Sequence, residues 1–333
     1  MNGSRRFLAS FLPAAALCAV VALAALLFAD AYLAQVAFLT GITVILVLGE
    51  SFAVGNMGQL LMCQAGFYGI GAYVSALLEM HGMPPYLAPA VGITCGAVSG
   101  LVVGLAATRI RGHYLAIVTL AIGVIVEELL NNLQGITNGP IGLVGVPTFF
   151  GPLNAGNQAD YIVVVWGAVI VVLGCLALLR ESRFGWFLRA IRDSEAAAES
   201  IGLRIGTYQV ATVTVAAAVA GLAGALYTNY AGLLVPDLFS YGLSAQILAT
   251  AVLGGINSFG GAVVSSLVFN GVPQMAQVTA FYQYLIFGVV LIVMMQFAPR
   301  GLSQIGVYAV SLARRRLLGW GAGQPNAATV RRP

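Results

Sequence analysis

The chain of 333 residues contains no lysine, and all 15 of its basic residues are arginine. This absence excludes a P-loop ATPase, because the lysine of the GxxxxGK[ST] motif reaches the nucleotide phosphates. If the protein uses ATP, another subunit must hydrolyse it. Charge of either sign is also scarce, at 8% of residues against 60% hydrophobic. So little polar surface cannot cover a soluble domain of this length.

Groups for catalysis and metal binding are equally few. The two histidines, His81 and His113, fall on opposite sides of the membrane in the topology below, so they cannot share a metal ion. There is no HExxH or GxSxG motif and no buried nucleophile beside a base, which argues against a membrane enzyme. No metal, no cofactor in this chain and no nucleic-acid partner are expected. The cysteines form no CxxC pair, and we interpret them as small buried thiols: Cys18, Cys63, Cys95 and Cys175.

Long apolar runs dominate what is present, and the mean hydropathy is +0.94. Runs of about 20 residues suffice to cross a hydrocarbon core, and the absence of polar alternation favours helices over a barrel. The sequence therefore predicts an all-α polytopic membrane protein of about ten transmembrane helices, with short or broken helices near its core. The predicted spans are 11–29, 33–53, 60–79, 86–107, 114–133, 161–179, 207–230, 241–257, 260–275 and 282–298.

Arginine accumulates on one side of this set of spans, which predicts that side to be cytoplasmic. It holds Arg5, Arg6, Arg109, Arg111, the loop 180–205, Arg300 and Arg314 to Arg316. The other side receives Asp30, Glu79, His81, Asp160 and Asp237. We therefore expect a cytoplasmic N-terminus (1–10), a permease domain (11–300) and a cytoplasmic tail (301–333). The first apolar run is longer than that of a signal peptide, so we expect it to be retained.

The eighth and ninth spans are short and could form a re-entrant pair. The longest loop on the predicted external side, 134–160, is rich in glycine, proline and asparagine. It could serve as a lid or docking surface, or simply connect two spans, and the sequence does not decide between these roles. On the fourth span, glycines recur every four residues and predict a face for close helix packing: Gly92, Gly96, Gly100 and Gly104.

Polar residues within the spans are few, and an intramembrane ionisable group usually faces a cavity or a partner. One interpretation is a path for a polar solute; the other is hydrogen bonding between helices. On the fifth span, polar or small residues recur at i, i+4 and form one stripe through Gly123. The candidate path residues are Glu50, Asn56, Gln59, Gln64, Thr119, Glu127 and Asn131.

The interval 180–204 holds 9 of the 26 charged residues, 15 basic plus 11 acidic. A capped helix of about two turns is predicted there, and its narrow apolar face of alanines and Ile201 suits a rigid knob docking on a cytoplasmic partner better than a helix lying on lipid headgroups. Arg189 and Arg192 precede it. The features of the helix are a cap at Asp193 or Ser194, an acidic first turn at Glu195, propagation by Ala196, Ala197 and Ala198, and termination at Gly202.

The run GWFLRAIRDSEAAAESIG (185–202) resembles the EAA-type coupling loop of ABC importer permeases, and more narrowly the LivM branch of the branched-chain amino acid permeases. Four further runs agree in order and spacing, and the resemblance extends from about residue 41 to Leu302. They are GQL (58–60) with GFYGIGAY (66–73), GHYLAIVTLA (112–121), NN (131–132) with TNGPIGL (137–143), and AGLAGALY (220–227).

The resemblance implies a permease subunit in a bacterial inner membrane. It implies four kinds of partner: a second related permease, two cytoplasmic ATPases that carry ATP and Mg²⁺, a periplasmic binding protein, and membrane lipid. The chain departs from the family in having four residues between Ala197 and Gly202, where the general pattern has three, and in having Gln64 where the LivM branch often has histidine. Urea and short-amide permeases share the architecture, and a self-contained channel or secondary transporter is the alternative from another class.

Overall fold

The structure is a computed structural model that describes residues 12–23, 31–108, 110, 113–147, 158–255, 258–275, 288, 289 and 292. Nearly all of its regular structure is helical, as expected for apolar segments whose backbone groups must pair within the segment. The α-helices are α1 (Leu12–Leu23), α2 (Ala31–Met57), α3 (Gln64–Met80), α4 (Ala88–Ala107), α5 (His113–Asn132), α6 (Gln134–Thr137), α7 (Gln158–Glu181), α8 (Arg183–Asp193), α9 (Glu195–Ser200), α10 (Ile205–Ala231), α11 (Tyr241–Gly254), α12 (Phe259–Ser266) and α13 (Val272–Met275).

Short elements complete the described part of the chain. A π-helical turn, Leu267–Gly271, joins α12 to α13, and two-residue strands β1 (Leu143–Val144) and β2 (Leu233–Leu234) pair antiparallel. Three 3₁₀ turns lie in the connections: Pro85–Leu87, Gly139–Ile141 and Pro236–Phe239.

Five of the described helices are long and apolar enough to cross a membrane: α2, α4, α5, α7 and α10. The all-α polytopic fold is confirmed, whereas the count of ten spans is not. At about 1.5 Å per residue, the 17 residues of α3 reach only about 25 Å and the 14 of α11 about 21 Å, less than a hydrocarbon core of about 30 Å. The tails 1–10 and 301–333 lie outside the described residues. So does the tenth predicted span, 282–298, except for residues 288, 289 and 292.

Helices α2 and α10 form the centre of the bundle. The most apolar window of each is 72% and 61% buried, against 28% for α4 and 22% for α5, which lie at the periphery. Helix α10 packs mainly against α4 and α3, and α2 against α7. Near one end of the bundle, Phe38 of α2 stacks on Tyr230 of α10 with ring centroids 4.1 Å apart, and Tyr161 of α7 contacts both rings edge-on. This aromatic cluster ties three helices together.

The predicted glycine face of α4 lies against α10. A Cβ atom added at Gly96 would lie 2.4 Å from the carbonyl oxygen of Ala217, and one at Gly104 would lie 3.0 Å from the Cα atom of Val210. Side chains there would separate the two backbones, so close approach requires glycine. All four members of the face are buried: Gly92, Gly96, Gly100 and Gly104.

The two short predicted spans near the C-terminus form a pair of helices, α11 and α12, that pack on each other and on α2. Gly254 lies so close to Gly261 that a Cβ atom would come within 2.7 Å of its backbone, and the Ser265 hydroxyl donates to the Thr250 carbonyl at 2.9 Å. Such contacts satisfy polar groups where backbones approach closely.

All four cysteines are free. The prediction of buried thiols is right for Cys18 and Cys63, but Cys95 is only partly buried and Cys175 is exposed. Cys175 lies on the outer face of α7, where an apolar thiol can contact lipid as readily as a methyl group can.

Candidate functional site

The chain leaves helical geometry between α2 and α3, in a segment we call the inner break (residues 58–63). Gly58 opens it with a φ of +74°, a conformation that glycine adopts without strain. The break ends at Gln64, whose side chain donates to the Ala216 carbonyl at 3.2 Å. Ala216 lies eleven residues into the 27-residue α10, about 17 Å from its first turn, so α3 begins well inside the membrane.

The helix of the predicted span 60–79 begins only at Gln64, because residues 60–63 belong to the inner break. Non-helical backbone at membrane depth must find other hydrogen-bond partners. Here side chains from three helices accept the backbone N–H groups: Glu50 accepts from Leu61 at 3.1 Å, Thr119 from Met62 at 3.1 Å and Ser244 from Ala65 at 3.0 Å. We call these three side chains the clamps. They accept backbone N–H groups of the inner break and of the first turn of α3, which in a continuous helix would donate to carbonyl groups of the preceding turn.

Three buried oxygens around the inner break have no hydrogen-bond partner among the described residues. They are Glu50 Oε2, Gln59 Oε1 and Gln64 Oε1, and the three side chains are 0%, 8% and 0% exposed. Buried polar atoms are nearly always paired, so the unpaired oxygens of three residues in or beside one short segment require a physical reason.

A second irregular segment, residues 232–240, lies between α10 and α11, and we call it the outer segment. Its strand β2 pairs with β1 from the external loop. Glu127 of α5 accepts the N–H of Tyr241 at 3.0 Å, directly after the segment. Phe239 packs so tightly on α3 that a Cβ atom at Gly69 would lie 3.0 Å from its ring. The described first part of the loop 134–160 holds α6, a 3₁₀ turn and β1.

The structure brings most of the candidate path residues to these two segments. The stripe on α5 faces both: Thr119 and Gly123 lie against the inner break, and Glu127 holds the outer segment. Asn56 does not join them, because its amide donates to the Phe52 carbonyl of its own helix at 2.9 Å. Asn131 is partly buried, and its backbone oxygen lies beside Gly139.

The charged loop contains two helices, of which sequence reasoning found only the second. Helix α8 buries Leu188 and Ile191 against the bundle, and Arg183 at its start is exposed. Helix α9 has Ser194 as its N-cap, whose hydroxyl accepts the Ala197 N–H at 3.3 Å. This settles the choice between Asp193 and Ser194 as the capping residue.

Helix α9 ends in a Schellman motif. Gly202 has a φ of +85°, its N–H donates to the Glu199 carbonyl at 2.9 Å, and the Leu203 N–H donates to the Ala198 carbonyl at 3.1 Å. Ala198 is buried and anchors the helix, whereas Ile201 is 70% exposed. The short helix is fixed at both ends and presents its other face outward.

Arg192 joins α8 to the end of α2. Its guanidinium donates to the Gly55 carbonyl, and its Cγ would lie 3.2 Å from a Cβ atom at Gly58. It also forms an ion pair of 3.5 Å with Asp193. Arg189, in contrast, lies over the ring of Trp186, 5.5 Å from its centroid. Arg192 is therefore a direct contact between the charged loop and the first residue of the inner break.

A small cleft opens between α9 and the inner break. Its lining includes Glu195 at the start of α9, Gln59 of the inner break and Gln209 near the start of α10. Gln59 is shared by the cleft and by the set of unpaired oxygens, so the cleft leads from the charged loop to the inner break.

Several polar residues that sequence reasoning did not select hold this arrangement. They are Ser244, one of the clamps; Gln209, which donates to the Ala107 carbonyl at 3.1 Å; and the buried pair Glu79 and Asn229, 3.0 Å apart. Each of them is a polar residue within an apolar run. Gln64 was chosen as a candidate for the same reason, so this pattern predicts these residues as well.

Comparison with known proteins supports a transport role. The family described as "Branched-chain amino acid transport system / permease component" matches residues 32–295. The chain is 31% identical over 293 residues to the Escherichia coli K12 high-affinity branched-chain amino acid permease protein LivM, covering 80% of this chain and 69% of LivM. It is 26% identical to LivH of the same organism over 282 residues, covering 78% and 90%.

A third relative is named for a different solute. The chain is 29% identical over 253 residues to the L-arabinose ABC transporter permease protein AraH of Azospirillum brasilense, with 72% of each covered. No solved structure matches the chain significantly. The family consists of permease components, which carry out transport and are not themselves enzymes. On the extent of the family match and the identity to LivM, this chain belongs to the branched-chain amino acid transport system permease family.

Proposed function

We propose that this chain is one permease subunit of an ABC importer that carries branched-chain or other hydrophobic amino acids across a bacterial inner membrane. Its partners are a second, related permease, two cytoplasmic ATPases that bind ATP and Mg²⁺, and a periplasmic binding protein. The absence of lysine supports the division of labour, since this chain cannot supply a P-loop. The relatives named LivM and LivH support the choice of solute.

One observation carries the proposal: a short helix, α9, is capped at both ends, exposed on one face and connected through Arg192 to the inner break. A rigid element that protrudes on the arginine-rich side is suited to dock in a groove of a cytoplasmic protein. Its displacement would reach the membrane-embedded break through Arg192, beside the packing of α8 on α2. ATP-driven closure of the ATPase pair would in this way rock the permease between inward-facing and outward-facing states.

The proposed orientation follows the arginines. It places α9, the loop 180–205 and both termini in the cytoplasm, and it places β1, β2 and the loop 134–160 on the periplasmic side. The loop 134–160 then lies where the binding protein delivers its solute, and its residues 134–147 offer that protein a surface for docking.

The test is a bulky substitution on the exposed face of α9. Ala197→Trp adds an indole where an ATPase groove would close, and Ala106→Trp places the same group on an exposed alanine at the cytoplasmic end of α4. In the reconstituted complex, Ala197→Trp is expected to lower both ATP hydrolysis and leucine uptake at least tenfold, with Ala106→Trp near wild type. Normal coupling in a fully assembled Ala197→Trp complex would refute the role of α9.

The competing classes are separated by two further measurements. Uptake of leucine, urea, a short amide and L-arabinose by the wild-type complex identifies the solute. The purified chain alone in liposomes distinguishes an ABC permease from a channel or secondary transporter: we expect no gradient-driven flux, and flux without any ATPase would overturn the proposal.

A further inference from the structure

When Glu50 is ionised, the three unpaired oxygens at the inner break are all hydrogen-bond acceptors. One oxygen of the Glu50 carboxylate is held by the Leu61 N–H, so the second oxygen of the same group lies beside the inner break as well. The amide nitrogen of Gln64 donates to the Ala216 carbonyl, which leaves its oxygen free. Gln59, two positions before Leu61, contributes the third oxygen.

Sequence position and packing place all three residues in or directly beside the inner break. Gln59 and Gln64 lie at the two ends of one six-residue stretch. Gln64 also packs beside Gly49, where a Cβ atom would lie 3.0 Å from its amide nitrogen, and Gly49 precedes Glu50 on α2. All three side chains are more than nine-tenths buried.

An acceptor-only cluster with a carboxylate has a definite chemical complement. Leaving a buried acceptor unpaired costs about 1–3 kcal/mol, and more when it is charged. A primary ammonium group supplies three N–H donors and no acceptor, and it carries the charge opposite to that of a carboxylate. Charge-assisted hydrogen bonds of this kind are about twice as strong as neutral ones.

We propose that Glu50, Gln59 and Gln64 form the subsite that receives the α-ammonium group of the transported amino acid. The assignment rests on the proposed function, since it requires an amino acid as cargo. Glu50 provides the charge and the two glutamine oxygens complete the set of acceptors. The clamps hold the inner break around the subsite, and the cleft lined by Gln59 is its route to the cytoplasm.

The subsite is sealed in this conformation, because Glu50 and Gln64 are fully buried. The inner break must therefore move for an ammonium group to enter or leave. Arg192 contacts the first residue of that break, so the same displacement that the knob transmits opens the subsite.

Ligand binding to the purified full-length permease complex tests the subsite without relying on transport. The probes share one apolar chain: leucine, isoamylamine, which keeps only the amine, and isocaproate, which keeps only the carboxylate. Isoamylamine and leucine are expected to raise the midpoint of thermal unfolding by about 2 °C when present at about ten times their dissociation constant. Isocaproate is expected to give no shift.

Glu50→Gln is the main variant, because its amide oxygen still accepts the Leu61 N–H while the charge is lost. The amine-dependent shift is expected to disappear in this variant. Gln59→Met, which keeps the volume and removes the oxygen, is expected to weaken it at least threefold in apparent affinity. Glu128→Gln, the same change on an exposed glutamate of α5, is the control and keeps the wild-type shift.

Three results would overturn the subsite: no shift with isoamylamine in the wild type, an equal shift with isocaproate, or a wild-type shift in Glu50→Gln. Failure of the proposed function would be detected by a different measurement, the uptake of amino acids by the reconstituted complex. A complex that binds amines through Glu50 but takes up no amino acid would retain the ammonium subsite and refute the amino-acid importer.

Discussion

Replacing Gly96 by alanine tests whether α4 and α10 form one rigid unit. Gly96 faces the backbone of α10, where an added methyl group would lie 2.4 Å from the carbonyl oxygen of Ala217 and 3.0 Å from the Cα atom of Gly221. Both neighbours are backbone atoms in a long, central helix, so neither can rotate away. The methyl group is accommodated only if the two helices separate.

The size of the effect follows from the geometry. Ordinary contact begins at 3.4 Å, so the helices must separate locally by about 3.4 − 2.4 = 1.0 Å. Overpacking of this kind typically costs about 1–3 kcal/mol. In a membrane there is little hydrophobic force between helices to offset the loss of packing. The cost therefore falls directly on the association of α4 with α10.

Gly167 supplies a matched control. It also lies within a spanning helix, α7, but a Cβ atom added there meets nothing within 4 Å. Both variants gain the same helix propensity, about 1 kcal/mol for alanine over glycine, so their difference isolates the steric cost. Gly104→Ala is expected to fall between them, because its nearest contact would be 3.0 Å.

The assay is thermal unfolding of the purified complex in one detergent. Gly96→Ala is expected to lower the midpoint by several degrees relative to Gly167→Ala, since 1 kcal/mol corresponds to about 2–4 °C in proteins of 150–250 residues. Equal midpoints for the two variants would refute the reasoning, and so would a larger loss in Gly104→Ala than in Gly96→Ala.

Three further predictions concern the charged loop and the proposed topology. Arg192→Met keeps the stem against Gly58 but removes the hydrogen bond to Gly55, so ATP hydrolysis should persist while leucine uptake falls about tenfold; Arg183→Met, on the exposed start of α8, should lose neither. Ser194→Ala removes the N-cap of α9, at a cost of about 1 kcal/mol, and hydrogen exchange across 195–200 should accelerate about fivefold; unchanged exchange would contradict it. An introduced cysteine at exposed Ala196 should react with an impermeant maleimide only in inside-out vesicles, and one at His81 only in right-side-out vesicles, with the reverse pattern excluding the proposed topology.

The long spans and the knob could be predicted because each depends on local sequence. A run of apolar residues with no break must be helical in a membrane, which gave α2, α4, α5, α7 and α10 within a few residues. The four-residue repeat of glycine on α4 pointed to one packed face without naming its partner. Each cap contact of α9 joins residues at most five positions apart, so termination at Gly202 and an N-cap at Asp193 or Ser194 could be predicted in advance.

The inner break could not be located in this way, because its shape depends on distant residues. Residues 60–63 are apolar or small enough to continue a helix, and the sequence alone favours one. The clamps on α2, α5 and α11 decide otherwise, and Ser244 lies 179 positions from the N–H group that it accepts. The same holds for Arg192, whose partner Gly55 is 137 positions away.

The contrast between these two kinds of contact indicates where the molecule can move. Helices α3, α4 and α10 meet through glycine backbones, and a shift of 1 Å there loses many contacts at once, so they move as one body. The inner break is held by the three clamps, and a hydrogen bond of this kind contributes only about 0.5–1.5 kcal/mol net. A pull through Arg192 therefore meets its least resistance at the inner break, which also carries the unpaired oxygens of Gln59, Gln64 and the neighbouring Glu50. The inner break thus connects the knob to a cluster of buried acceptors that a cationic group would complement.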